Sequence, residues 1–128
     1  MTERILIVDD QPEQRDLMSA QVRMARPNIE VLTAEDARQA YVYLDQFPSL
    51  IILDQSLVEF NGDDLLRWLL DLVKITGRQL PFIILVSATR MNLDEQPFAE
   101  FKNRNMINAL SKPFSYTDLR KLLIDNLE

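Results

Sequence analysis

Three short runs constrain this chain more than any other feature. Ile5-Leu6-Ile7-Val8, Leu50-Ile51-Ile52-Leu53 and Phe82-Ile83-Ile84-Leu85-Val86 are apolar at every position and rich in β-branched residues. A strand with one wet face alternates apolar and polar residues. A run with no alternation suits a strand covered on both faces, as in a parallel sheet between two layers of helices. Two weaker runs complete the set. Ile29–Leu32 alternates more and reads as an edge strand, and Met106–Leu110 is interrupted by Asn108.

Helical patterns separate the runs. Residues 12–26 place Leu17, Met18, Val22 and Ala25 on one side, with Pro12 suited to a first turn. Residues 35–47 place Ala37, Ala40, Tyr41 and Leu44 at helical spacing. Further patterns cover 63–75, a weaker 92–104, and 115–127, where Tyr116, Leu119, Leu123 and Leu127 form one stripe. Gly62 and Gly77 are both expected in loops. Strict β–α alternation predicts an α/β fold: a doubly wound, five-stranded parallel sheet with helices on both faces. The common strand order is 2-1-3-4-5, with a ligand crevice outside the carboxyl ends of strands 1 and 3. With 128 residues and no linker or low-complexity tract, residues 1–128 read as a single domain.

Composition removes several chemistries. The chain has no Cys and no His, so thiolate, imidazole and His-metal chemistry are excluded. The net charge of −6 argues against direct nucleic-acid binding. The acid is concentrated: residues 1–64 hold 13 acids against 5 bases. No apolar run has signal-peptide or membrane-span length, which predicts a soluble, cytoplasmic protein without a membrane partner.

Under this topology the strand ends collect polar groups: Asp9-Asp10 after strand 1, Asp54 after strand 3, Ser87-Ala88-Thr89 after strand 4, and Lys112-Pro113 after strand 5. Three converging carboxylates cannot all stay ionised without compensation. A hard divalent cation with oxygen ligands supplies it, and Mg²⁺ is the usual choice beside phosphate. An Asp carboxylate can attack phosphorus to form an aspartyl-phosphate. Lys and Ser side chains can then stabilise the phosphoryl oxygens.

Ile7-Val8-Asp9-Asp10, Leu53-Asp54 with Gly62 eight residues on, Val86-Ser87-Ala88 and Lys112-Pro113-Phe114 together resemble the receiver domain of two-component response regulators. The resemblance covers essentially the whole chain and implies the flavodoxin-like receiver fold. It implies a phosphoprotein of phosphorelay signalling. Asp54 would accept a phosphoryl group from a histidine kinase or phosphotransfer protein. Asp10 would ligate Mg²⁺ directly, Asp9 mainly through water, and Asp54 and the Ser56 carbonyl would complete the protein's share. Ser87 and Lys112 would contact the phosphoryl group, and the Lys112–Pro113 bond would be cis. Such a domain signals rather than turning over substrate, self-dephosphorylation apart.

Three positions depart from the family's usual pattern. Ala109 stands where a Tyr or Phe switch residue is common. Leu57-Val58 replaces Met-Pro, and Asn103-Arg104-Asn105-Met106 replaces the Gly-Ala stretch before strand 5. The chemistry set is therefore intact while the output set is altered. The alternative function is a phosphorylation-independent receiver-like interaction module. A Mg²⁺ phosphatase working through an aspartyl-phosphate fits less well, because its Asp-x-Asp signature is absent from strand 1. The third helix carries a wide apolar arc around Trp68, read either as core cover or as a surface for a homodimer or output partner. Arg90, Lys102, Arg104, Arg120 and Lys121 make the last two helical units a second candidate surface.

Overall fold

In the computed structural model the described residues are 3–55 and 62–127, the side chains of Gly62 and Asp63 excepted. Five strands appear where the apolar runs predict them: β1 (Arg4–Val8), β2 (Glu30–Ala34), β3 (Leu50–Asp54), β4 (Phe82–Ser87) and β5 (Ile107–Ser111). They form one parallel sheet in the order β2-β1-β3-β4-β5. The helices are α1 (Pro12–Ala25), α2 (Ala37–Tyr43, extended by a 3₁₀ turn over Leu44–Gln46), α3 (Gly62–Thr76), α4 (Phe98–Asn103) and α5 (Tyr116–Asn126).

The period-2 pleat divides each central run between two cores. Ile5, Ile7, Leu50, Ile52, Phe82, Ile84 and Val86 face α1 and α5, meeting Met18, Val22, Leu119 and Leu123. Leu6, Val8, Ile51, Leu53, Ile83 and Leu85 face the other layer, meeting Ala37, Ala40, Leu65, Leu66, Leu69 and Phe101. Every residue of β3 and β4 is buried, which explains their lack of alternation. The edge strands are only partly covered.

Local chemistry sets the helix ends. Asp36 accepts a hydrogen bond from Gln39 N–H at 2.7 Å and starts α2. Ser115 and Asp118 form a reciprocal capping box at α5. Gly77 adopts φ 72° and donates to Val73 O at 2.9 Å, stopping α3 in the left-handed conformation glycine tolerates.

Several expectations need correction. Leu17 is 51% exposed, because α1 turns Met18, Ser19 and Val22 to the sheet instead. Tyr41 is exposed on the outer side of α2, with its ring packed edge-on against Trp68 at 4.6 Å. Gly62 opens α3 rather than lying in a loop. The helix expected over 92–104 is regular only over Phe98–Asn103. Asn92 Oδ1 accepts from Asp94 N–H and turns the chain ahead of it.

Candidate functional site

The parallel ladder lifts four functional residues to one edge of the sheet. Asp9 N–H donates to Ala34 O, Gln55 N–H to Val86 O and Lys112 N–H to Ser87 O, so each strand is held past its last apolar residue. Asp9 and Asp54 follow Val8 and Leu53, which are paired across β1 and β3. Strand pairing also places Ser87 opposite Ser111, one residue before Lys112.

Asp9 and Asp54 are buried, at 0% and 1% exposure, while Asp10 is exposed. One carboxylate oxygen from each of the three lies within 4.8 Å of the others. Lys112 Nζ donates to Asp54 Oδ2 at 3.1 Å. The Lys112–Pro113 bond is cis, as the family resemblance implies, and Gln96–Pro97 is cis as well.

Burial pushes the Asp9 carboxyl up to about 6, and the neighbouring Asp54 charge pushes the same way. The Gln11 N–H bond and the Lys112 charge oppose the rise without cancelling it. Asp9 Oδ1 accepts from Gln11 N–H at 2.8 Å, whereas Asp9 Oδ2 is buried without a hydrogen-bond partner. An orphaned buried carboxylate oxygen beside two further carboxylates suits a hard divalent cation, so the donor set fits Mg²⁺.

Ser87 is buried at the end of β4, and its hydroxyl closes on its own loop. It donates to Thr89 O at 2.8 Å and accepts from Thr89 N–H at 3.1 Å. Beside it, an open cleft of about 430 Å³ is lined by Ser87, Thr89, Arg90, Met91, Ala109 and Leu110, among others. The structure thus brings together Asp9, Asp10, Asp54 and Lys112, with Ser87 on the adjoining strand. Ser56, Leu57 and Val58 lie outside the described residues.

Sequence reasoning missed Arg15. Its Nη1 donates to the backbone carbonyl of Asp9 at 2.7 Å and pins the β1–α1 turn that carries the acids. Its signal was a base in the N-terminal half of a helix, where acids usually suit the dipole better. Gln55 was missed too: its Oε1 is buried and without a partner.

Fold and site define a flavodoxin-like α/β domain with an acidic cluster at its topological switch point. The chain belongs to the response regulator receiver family, whose model, described as the response regulator receiver domain, matches residues 5–124. Receiver domains are signalling domains of two-component systems. The chain is 36% identical over 95 residues to a protein-glutamate methylesterase/protein-glutamine glutaminase of Agrobacterium fabrum. That match takes in 71% of this chain and 25% of the relative, so the chain spans about a quarter of the relative's length. Among solved structures it resembles the chemotaxis protein CheY4 of Vibrio cholerae, with TM-score 0.77, 23% identity, and 99% and 100% of the two chains covered. It also resembles the signal receiver domain of a DNA-binding response regulator from Colwellia psychrerythraea, with TM-score 0.78, 17% identity and 96% of each chain covered. These two likenesses show the fold. Among the described residues no helix is long and apolar enough to cross a membrane.

Proposed function

We propose that residues 1–128 act as one cytoplasmic receiver domain, in which Asp54 accepts a phosphoryl group from the phosphohistidine of a histidine kinase or phosphotransfer protein. The observation that carries this reading is the buried Asp54 carboxylate paired with Lys112 at 3.1 Å beside Asp9 and Asp10.

An Asp54 carboxylate oxygen attacks phosphorus. The O–P bond forms as the P–N bond to the donor imidazole breaks, and the nitrogen keeps the bonding pair. Lys112 stays beside the acceptor and stabilises charge on the phosphoryl oxygens. Asp9, Asp10 and Asp54, with the Ser56 carbonyl that the family resemblance implies, would hold Mg²⁺. When bound, that ion supplies positive charge that offsets the acidic cluster and the incoming phosphoryl oxygens. Ser87 then exchanges its bond to the Thr89 carbonyl for one to a phosphoryl oxygen, drawing its loop inward. Ala109 offers no aromatic ring to follow that movement, so the signal passes through the loop from Ala88 to Met91. Hydrolysis of the acyl phosphate resets the state, with Thr89 at the entry to tune the approach of water.

Intact mass after incubation with acetyl phosphate tests the reading. Wild type with Mg²⁺ gains one phosphoryl adduct. Chelator and Asp54→Asn each abolish it. A folded protein left unmodified in every sample contradicts the acceptor role. It then favours the second reading, an interaction module working without phosphoryl transfer, for which the exposed Ala109 and its open cleft speak.

A further inference from the structure

α3 carries a face that the phosphoryl chemistry does not use. Its inner side, Leu65, Leu66 and Leu69, is buried against the sheet. At 100° per residue, Asp64, Arg67, Asp71 and Lys74 share an outer arc of about 80°. All four are exposed, and along the helix their charges alternate in sign. The adjoining arc of about 60° carries Trp68, Leu72 and Ile75. Ile75 is 82% exposed, and Trp68 is half-buried with its free edge extended by Tyr41 of α2, itself 53% exposed.

The charge order is self-complementary in one arrangement. Asp64 and Lys74 are equidistant in sequence from Leu69, and so are Arg67 and Asp71. A two-fold axis across α3 at the level of Leu69 therefore sets Asp64 of one copy against Lys74 of the other, and Arg67 against Asp71. The same axis keeps like edges together. The charged edge meets the charged edge, and the Trp68 edge meets the Trp68 edge. Trp68 is one residue from the axis, within about 1.5 Å along the helix, so the two indoles approach each other. An isologous interface demands this self-complementarity of a single patch. Aromatic residues and Arg are also the side chains that anchor interfaces.

From this symmetry we infer that a second copy of this chain docks on the α2–α3 face, with the two α3 helices antiparallel. None of these α3 residues belongs to the acidic cluster, and the interface stands whether or not Asp54 is phosphorylated.

Sedimentation equilibrium of the full chain, unmodified and with chelator, tests it. Wild type shows a concentration-dependent monomer–dimer equilibrium. Arg67→Glu meets Asp71 with like charge twice per dimer and weakens association at least about tenfold. Asp71→Arg weakens it similarly, and combining the two substitutions restores it. A bulk charge effect predicts otherwise, since Asp71→Arg lowers the net negative charge and would strengthen association. Trp68→Ala weakens the dimer with far-UV circular dichroism unchanged. A wild-type chain still monomeric at about 1 mM, where even feeble association is visible, overturns the inference. So does a dimer indifferent to Arg67→Glu, or one that Asp71→Arg strengthens.

Discussion

Lys112 reaches across from the end of β5 to place its ammonium 3.1 Å from Asp54 Oδ2, at a carboxylate only 1% exposed. The two residues are 58 positions apart and meet because β3, β4 and β5 are neighbours in one parallel register. Among the described residues, the Lys112–Asp54 pair brings one positive charge to a cluster of three carboxylates. Crowding of like charge at buried carboxylates bears on the domain's stability and, under the proposed function, on its affinity for a divalent ion.

The first prediction concerns pH. Asp9 titrates at about 6 in the folded protein against an ordinary 3.8. Between those values the folded chain holds a proton that the unfolded chain has released, so stability falls as pH rises through the window. The stabilisation is complete below the lower value and lost above the upper one. Urea unfolding with chelator is expected to show a domain weaker at pH 7 than at pH 4 by about 2–3 kcal/mol from this group. Under the proposed function Mg²⁺ is expected to flatten the slope, because binding needs the ionised carboxylate.

Asp9→Asn removes the charge while retaining an oxygen for Gln11 N–H. The variant is expected to be more stable than wild type at pH 7 by about 1–3 kcal/mol in chelator, and to lose the pH slope. Its stability is also expected to respond far less to Mg²⁺. The urea midpoint, with and without the ion, measures all three.

Much of this was legible in the sequence. β1, β3 and β4 were plain because a strand buried on both faces has no polar position to blur it, and their order followed from alternation with helices. Asp9 and Asp54 were legible as the first polar residues after such runs, and Lys112 through Lys112-Pro113-Phe114 at the end of strand 5. Arg15 was not, because its partner is a backbone carbonyl that no residue type announces. The extent of α4 was not either: only Phe98 and Phe101 are buried in a six-residue helix, too few to set a period. Leu17 misled because a helix about four turns long offers overlapping apolar stripes, and packing against the sheet chose Met18 and Val22.

Phe101 is the anchor of that short α4. It is fully buried in the core on the α2–α4 side, and its carbonyl accepts from Met106 N–H at 2.8 Å to lead into β5. Phe101→Ala is expected to cost about 3–5 kcal/mol through lost burial and the cavity left behind. The loss should appear as a lower urea midpoint at unchanged slope.

Ala109 lies exposed on the edge strand, over the cleft of about 430 Å³ beside Ser87. Space and β-propensity both accommodate a ring there. Ala109→Tyr is therefore expected to change stability by no more than about 0.5 kcal/mol in thermal or urea unfolding. It should leave acetyl phosphate labelling intact, since the residue does not line the acidic cluster.

The most direct test of the acceptor assignment locates the modified atom. Protein incubated with acetyl phosphate and Mg²⁺ is treated with borohydride, which reduces an acyl phosphate to the alcohol, and its peptides are sequenced by mass spectrometry. The account predicts homoserine at position 54 and nowhere else, dependent on Mg²⁺. Homoserine at position 9 or 10, or a phosphoryl group retained on a hydroxyl residue while Asp54 stays intact, would contradict it.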